Sequence, residues 1–297
     1  MSGKKLFRMD AAAAAALAAA LCSGCFDREV PNPQVVARSV DEALARAAET
    51  TTLDLHAEGA DDDAPFAFPE GLGRFPALSF VSVRGRRGLS EVPASVAEAS
   101  RLSTLDLART SVRVLPEELA ALPALRALYL SDNALEAVPP VVCRLRALEY
   151  LNLDRNALAS LPDEIGALSS AKWIRLNFNR LSDLPAGAGT GWTSAKKLYL
   201  RGNGLKKVPE AVLRMTSLEE LDLGENDLEE LPEGLCRLPK LHRLDVDSNP
   251  RLQALPANIG EMKALTHLNA FRCALSTNEQ ARVRGIFPDR VRQFIAF

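Results

Sequence analysis

The sequence predicts an α/β solenoid, a stack of short units whose strands pair in parallel over one continuous core. Three observations point to it. The stretch Leu148-Glu-Tyr-Leu151-Asn-Leu153-Asp-Arg-Asn156-Ala-Leu158-Ala-Ser-Leu161-Pro162 places apolar residues at relative positions 1, 4, 6, 11 and 14, with Asn at 9 and Pro at 15. The period-two step within positions 1-4-6 marks a short strand with one buried face. The pattern restarts every 23 or 24 residues, at Leu78, Leu102, Leu125, Leu148, Ala171, Ala195, Leu218, Leu241 and Leu265. One such strand cannot bury its leucines alone, whereas stacked neighbours can. With 297 residues, 47% of them hydrophobic, the chain can build that core as one domain.

Residues 1–25 read as an address. Lys4, Lys5 and Arg8 precede an apolar run, Ala11 to Leu21, that is too short to span a bilayer as a helix. Leu21-Cys22-Ser23-Gly24-Cys25 then resembles the lipobox that ends the secretory signal of bacterial lipoproteins. The resemblance implies cleavage before Cys25, acylation of that cysteine, and a lipid anchor at the bacterial cell envelope. Cys22 stands where that family has Leu, Val or Ile, and Asp10 abuts the apolar run. Phe26 is not acidic, which in that family favours the outer over the inner membrane. An unprocessed, alanine-rich tail on a cytoplasmic protein is the alternative. Removing residues 1–24 takes away three positive charges and one negative, moving the net charge from −2 to −4. Residues 26–38, with Pro31 and Pro33, read as a tether of about 40 Å at most.

Ser39-Val-Asp-Glu42 is a capping-box pattern, so a capping helix is expected over 39–49, with Ala43, Leu44 and Ala47 at helical spacing. It would cover a first strand at Leu53 and Leu55. Asp61, Asp62 and Asp63 fall in an insertion. Three adjacent carboxylates without liganding spacing read as a solvated loop rather than a calcium site. The nine modules, with Pro93, Pro116, Pro139, Pro162, Pro185, Pro209, Pro232 and Pro256 near their ends, resemble the leucine-rich repeat family over residues 50–275. That resemblance implies a curved right-handed horseshoe of about ten repeats, a parallel sheet on its concave side, and a recognition role. Gly187 to Gly191 reads as a mobile loop. Ser276-Thr-Asn-Glu279 opens a helix that must end by Pro288, and 276–297, with Val291 and Phe294, is expected to cap the array. No second domain is expected.

Position 9 is Asn at 133, 156, 179, 203, 226 and 249, where the chain leaves the strand. A buried Asn can donate to and accept from the backbone of such a bend, so these six form an expected structural ladder. Arg86, Thr110 and Cys273 stand in for it in the end modules.

The residues give no catalytic constellation, cofactor or metal site. Cys143 and Cys236 hold equivalent convex positions four modules apart, near 20 Å by strand spacing, while a disulfide needs Cα atoms within about 7 Å. They read as buried fillers. His242 and His267, with Asp245 nearby, could meet on the concave face but read as exposed. A net charge of −2 gives no electrostatic footprint for nucleic acid.

If positions 1, 4 and 6 point inward, positions 3 and 5 face outward on the concave sheet, flanked by 2, 7 and 8. All three tyrosines fall there, Tyr129, Tyr150 and Tyr199, joined by Trp173, Phe178, Phe80 and Phe271. Gathered exposed aromatics are how interfaces obtain anchors. Charge is segregated beside them: Lys172, Arg175, Lys196, Lys197 and Arg201 form a basic zone, and Glu219, Glu220, Asp222, Glu225, Asp245 and Asp247 an acidic one. Such bands either steer a complementary partner or satisfy one another. The sequence thus predicts a membrane-tethered, non-catalytic, monomeric scaffold. Its protein partner would meet Tyr129, Tyr150, Trp173, Arg175, Phe178, Lys197, Tyr199, Arg201, Asp222 and Asp245. A structural or glycan-binding envelope protein is the second class, and a repeat-fused ligase or kinase the third.

Overall fold

Among the described residues, twelve parallel strands form one open sheet in which sequence neighbours are always spatial neighbours. The structure is a computed structural model, and it describes residues 35–57, 63–287 and 295–297. The signal-like segment with Cys25, Asp61 and Asp62, and Val291 and Phe294 lie outside the described residues. β1 is Val36–Ala37 and α1 Val40–Ala45. β2 is Thr52–Asp54, β3 Phe80–Ser82, β4 Thr104–Asp106 and β5 Ala127–Tyr129. β6 is Tyr150–Asn152, β7 Trp173–Arg175 and β8 Lys197–Tyr199. β9 is Glu220–Asp222, β10 Arg243–Asp245, β11 His267–Asn269 and β12 Ile295–Ala296. Positions 3, 4 and 5 of each module are thus the strand. Position 4 (Leu53, Val81, Leu105, Leu128, Leu151, Ile174, Leu198, Leu221, Leu244, Leu268) is buried in a single core running through the stack. After most of these prolines the chain forms a short 3-10 helix, Asp163–Ala167 for example, whose Ile165 closes the convex side; after Pro185 it forms an α-helix instead.

The N-terminal cap differs from its sequence reading. Val36–Ala37 pairs with Thr52 and Leu53, so part of the expected tether belongs to the sheet. A strand covering the first module satisfies an edge that would otherwise be open. The capping box forms: Ser39 Oγ accepts from Glu42 N–H, and the Glu42 carboxylate accepts from Arg38 N–H, at 3.1 and 2.8 Å. The helix stops at Ala45, and Thr50 Oγ donates to the Ala43 and Arg46 carbonyls. Ala43 is buried while Leu44 is exposed, so the helix packs on a narrower face than its spacing suggested. At the other end α2 (Ala186–Gly191) lies in the array, and α3 (Thr277–Ile286) and β12 follow the last module.

The asparagine positions show how the bends are held. Asn226 Nδ2 donates to the carbonyls of Leu200, Leu223 and Gly224 at 2.9–3.0 Å, while its Oδ1 accepts from the backbone N–H of Asn203 and Leu205. Asn156, Asn179, Asn203 and Asn249 repeat the donation to the position-6 carbonyl, just past the strand, of their own module and of the one before. Asn133 reaches the Leu107 carbonyl. The substitutes act alike: Arg86 Nε donates to Leu55, Thr110 Oγ to Leu107 and Cys273 Sγ to Val246. The residue before each of these positions has positive φ, including non-glycines such as Arg155, Phe178, Glu225 and Arg272. The bend, rather than local propensity, dictates that conformation.

Gly187 to Gly191 is a helix rather than a mobile loop. α2 lies backbone to backbone against its neighbours: a Cβ on Gly191 would overlap the Gly166 carbonyl oxygen, and one on Gly187 the Asp163 carbonyl oxygen. A Cβ on Gly189 would come within 2.8 Å of Ala211 Cα. The glycines allow this close approach. Replacing Gly191 with Ala is therefore expected to cost about 2 kcal/mol, because the clash is with main chain that cannot rotate away. Gly204→Ala, where a Cβ meets nothing closer than the Leu181 carbonyl oxygen at 3.7 Å, should leave thermal unfolding nearly unchanged. Equal midpoints for the two variants would contradict this packing.

Candidate partner-binding face

On the far side of the sheet from the core lies a second apolar cluster: Ala108, Ala127, Tyr129 and Tyr150, with Trp173 packed against it. The register explains it. Ala127, Tyr150, Trp173, Lys197 and Glu220 stand side by side in position 3 of adjacent strands. Ala127 is small, so Tyr150 leans over it onto Tyr129, with ring centroids 4.7 Å apart, and Trp173 follows at 6.2 Å. Lys197 Nζ then sits 4.1 Å above the Trp173 ring, a cation–π contact worth about 0.5–1 kcal/mol where partly exposed.

A parallel row in position 5 runs Tyr129, Asn152, Arg175, Tyr199, Asp222, Asp245 and Asn269. Arg175 lies 5.1 Å from the Tyr199 ring centre and pairs with Asp154 at 2.6 Å. Tyr199 donates its hydroxyl to Glu220 at 3.1 Å, and Glu220 also takes Lys197 at 2.8 Å. The two rows thus close into one network. Phe178 stands apart at the rim, 4.5 Å beneath the Arg155 guanidinium, its ring occupying space that the glycine at 202 leaves open.

Two sequence expectations change here. Tyr129 and Tyr150 are only 9% and 7% exposed, so they form the floor of the patch, while Trp173 and Tyr199 are half-buried. Alternation along a strand tells which side a residue takes. It does not tell that a neighbour about 4.8 Å away will cover it. Second, of the two roles left open for the charge bands, the charges pair locally: Lys196 with Glu219 and Lys197 with Glu220 across the two zones, and Lys172 with Glu149 and Arg243 with Asp245 beside them, at 2.7–3.1 Å. Arg201 binds three carboxylates at once, Asp222, Glu225 and Asp247. It reaches Asp247, two modules away, because Gly224 between them has no side chain; a Cβ there would overlap the guanidinium. Glu149, Asp154 and Gly224, absent from the predicted contact set, are thus part of this face. The position-7 column, Arg201-Gly224-Asp247, carries that signal in the sequence.

Burial pushes the Tyr150 hydroxyl up to about 12, against a smaller opposing pull from Arg175. Burial also raises Tyr199, and the Glu220 carboxylate that accepts its hydroxyl adds to the shift. Glu220 ends below its ordinary value because Lys197 and the Tyr199 hydroxyl outweigh burial. A tyrosine whose folded pKa is raised favours the fold fully below its unfolded value near 10 and loses that contribution as pH climbs through about 12. Phenolate absorbance at about pH 11 should therefore differ little between the native protein and Tyr150→Phe. A full residue's worth of phenolate lost in the variant would contradict the buried floor.

The remaining candidates are structural. Cys143 and Cys236 are buried free thiols, each raised by burial. His267 aligns with Arg243 rather than His242, and its Nδ1 is 2.9 Å from Thr266 Oγ. No group of three or more potential metal ligands occurs among the described residues. None of their helices is long and apolar enough to cross a membrane.

A family model described as leucine-rich repeat region matches residues 194–284, and one described as leucine rich repeat matches residues 100–158 and 146–205. No curated protein matches the sequence. Among solved structures, the chain is similar to the leucine-rich repeat ectodomain of the plant membrane receptor kinase GASSHO1/SCHENGEN3 from Arabidopsis thaliana, solved in complex with CASPARIAN STRIP INTEGRITY FACTOR 2. Identity there is 27% and the TM-score 0.60, over 76% of this chain and 27% of that one. The chain thus spans about a quarter of that ectodomain's length. An internalin of Listeria monocytogenes matches with 16% identity and a TM-score of 0.59, over 93% of this chain and 86% of that one. A chain of the Toll–Spatzle complex of Drosophila matches with 21% identity and a TM-score of 0.65, over 78% and 31%. The leucine-rich repeat fold commonly mediates protein–protein recognition, and its members are typically non-catalytic scaffolds. The repeat spacing, the parallel sheet and the two matching family models lead to one statement: the chain belongs to the leucine-rich repeat family.

Proposed function

We propose that this protein is a non-catalytic scaffold that recognises a protein partner on its concave sheet and is held at the bacterial envelope by a lipid on Cys25. The observation that carries the reading is the Tyr129–Tyr150–Trp173–Lys197 row with Arg175 and Tyr199 beside it. Large rings fixed by their neighbours lose little entropy on binding, and such aromatic and arginine anchors dominate interface energies. The 27%-identical receptor ectodomain, solved with a bound partner, is consistent with the same use of the fold. The tether rests on the Leu21–Cys25 motif alone.

Combined Ala replacement of Tyr150, Trp173 and Tyr199 should abolish capture of envelope protein by the purified chain. Unchanged capture would overturn the assignment. Capture that persists on protease-treated cell-wall polysaccharide would replace it with glycan binding. Intact-mass analysis of native protein should show residues 1–24 absent and acyl mass added at Cys25. A full-length, unmodified mass would place the protein in the cytoplasm instead.

A further inference from the structure

The charge balance of the concave sheet changes along its length. Over modules 148 and 171 Lys172 meets one carboxylate, Glu149, and Arg175 one, Asp154. Over modules 195 to 241 four cations, Lys196, Lys197, Arg201 and Arg243, meet six carboxylates: Glu219, Glu220, Asp222, Glu225, Asp245 and Asp247. The surplus of two negative charges is concentrated where Arg201 alone serves three acids. Its Nε, Nη1 and Nη2 are all engaged there, so it has no further reach. Neighbouring groups do not supply the missing charge. Arg243 is committed to Asp245 at 2.8 Å, Asn269 and Ser248 give Asp247 only neutral donors, and Arg272 lies over the Phe271 ring. The Asp222 and Asp247 side chains are 17% and 13% exposed, and Glu225 is 50% exposed. Partly buried carboxylates are less fully solvated, so a cation brought to them gains more than it would at an open surface.

Resting on the concave-face reading above, we infer that the partner presents an extended segment with an aromatic or apolar residue on Trp173 and two lysines or arginines on the Asp222–Glu225–Asp247 group. The geometry sets the spacing. Trp173 and Asp247 belong to modules three apart, about 14 Å across the strands at about 4.8 Å per strand, and their positions 3 and 7 add at most about 13 Å along them, so the two lie about 14–19 Å apart. An extended segment advances about 3.4 Å per residue, so the basic pair lies roughly four to six residues from the anchor. Neutral pairing elsewhere on the face keeps a second basic cluster from competing, which fixes the end of the face that takes the basic pair.

The test uses the full chain and two fluorescein-labelled ten-residue synthetic peptides per direction. One carries a tryptophan followed, four and five residues on, by two lysines; its twin has glutamates there, and the second pair reverses the order. Fluorescence anisotropy should show one lysine peptide binding at least about tenfold more tightly than its glutamate twin, a difference of about 1.4 kcal/mol. Glu225→Gln with Asp247→Asn should erase that difference, and Glu225→Gln alone, on the most exposed of the three, should reduce it without threatening the fold. Trp173→Ala should weaken every peptide. If lysine and glutamate peptides bind equally but still need Trp173, the basic-partner inference is wrong and the face reading stands. If no peptide binds, the inference fails too; if Trp173→Ala also leaves capture of envelope protein unchanged, the face reading falls with it.

Discussion

Trp192→Ala is expected to lower the unfolding free energy by about 3–5 kcal/mol, the usual cost of truncating a large buried aromatic. Trp192 is 1% exposed, and its indole Nε1 donates to the Ile165 carbonyl at 2.8 Å, tying module 171 to the convex side of module 148. Its removal leaves a void and strands a carbonyl beside α2, whose glycines already bring three backbones into contact. In a solenoid each module touches only its neighbours, so damage at one junction weakens the coupling between the two halves. Denaturant unfolding followed by circular dichroism should therefore split into two steps in this variant. A loss below about 1 kcal/mol with one sharp transition would contradict this role.

Asn226→Ala is expected to cost about 3 kcal/mol, since it removes the acceptor of two backbone N–H groups and one of the two asparagine donors to each of two carbonyls. The carbonyls of Leu200 and Leu223 lose a donor, and the N–H groups of Asn203 and Leu205 lose an acceptor. Asn226→Asp separates the two halves of that function. It keeps the acceptor for the N–H groups but turns donation into carboxylate–carbonyl repulsion, so it should be no better than alanine. A variant that melts with the native protein would show that water replaces the side chain freely. Thermal unfolding of the two variants side by side decides the matter.

The fold was legible because a 23–24-residue period with leucines at fixed places admits few structures. Position 4 of every module from Leu53 to Leu268 lies in the core, as the alternation required. What escaped was set by contacts between modules, which a one-dimensional pattern does not contain. Gly187, Gly189 and Gly191 looked mobile because glycine loosens an isolated chain, yet here they admit a neighbouring backbone. Val36–Ala37 looked like tether because two residues are too few to show a strand period. The tyrosines were placed on the correct side of the sheet, but the covering of Tyr129 by Tyr150 depends on Ala127 being small beside it. The charge bands were visible as bands; that each of these lysines would meet a glutamate on an adjacent module followed only from the parallel register, Lys197 beside Glu220 and Lys172 beside Glu149.

The central claim is that the concave sheet, not the convex side, meets a protein. Site-specific photocrosslinking tests it most directly. A photoreactive residue at Asn152, half-buried on the concave face between Tyr129 and Arg175, is expected to yield a discrete protein adduct in native envelopes. The same residue at Glu210, exposed on the convex side, is expected to yield none. An adduct formed at Glu210, or at neither position, would contradict the account.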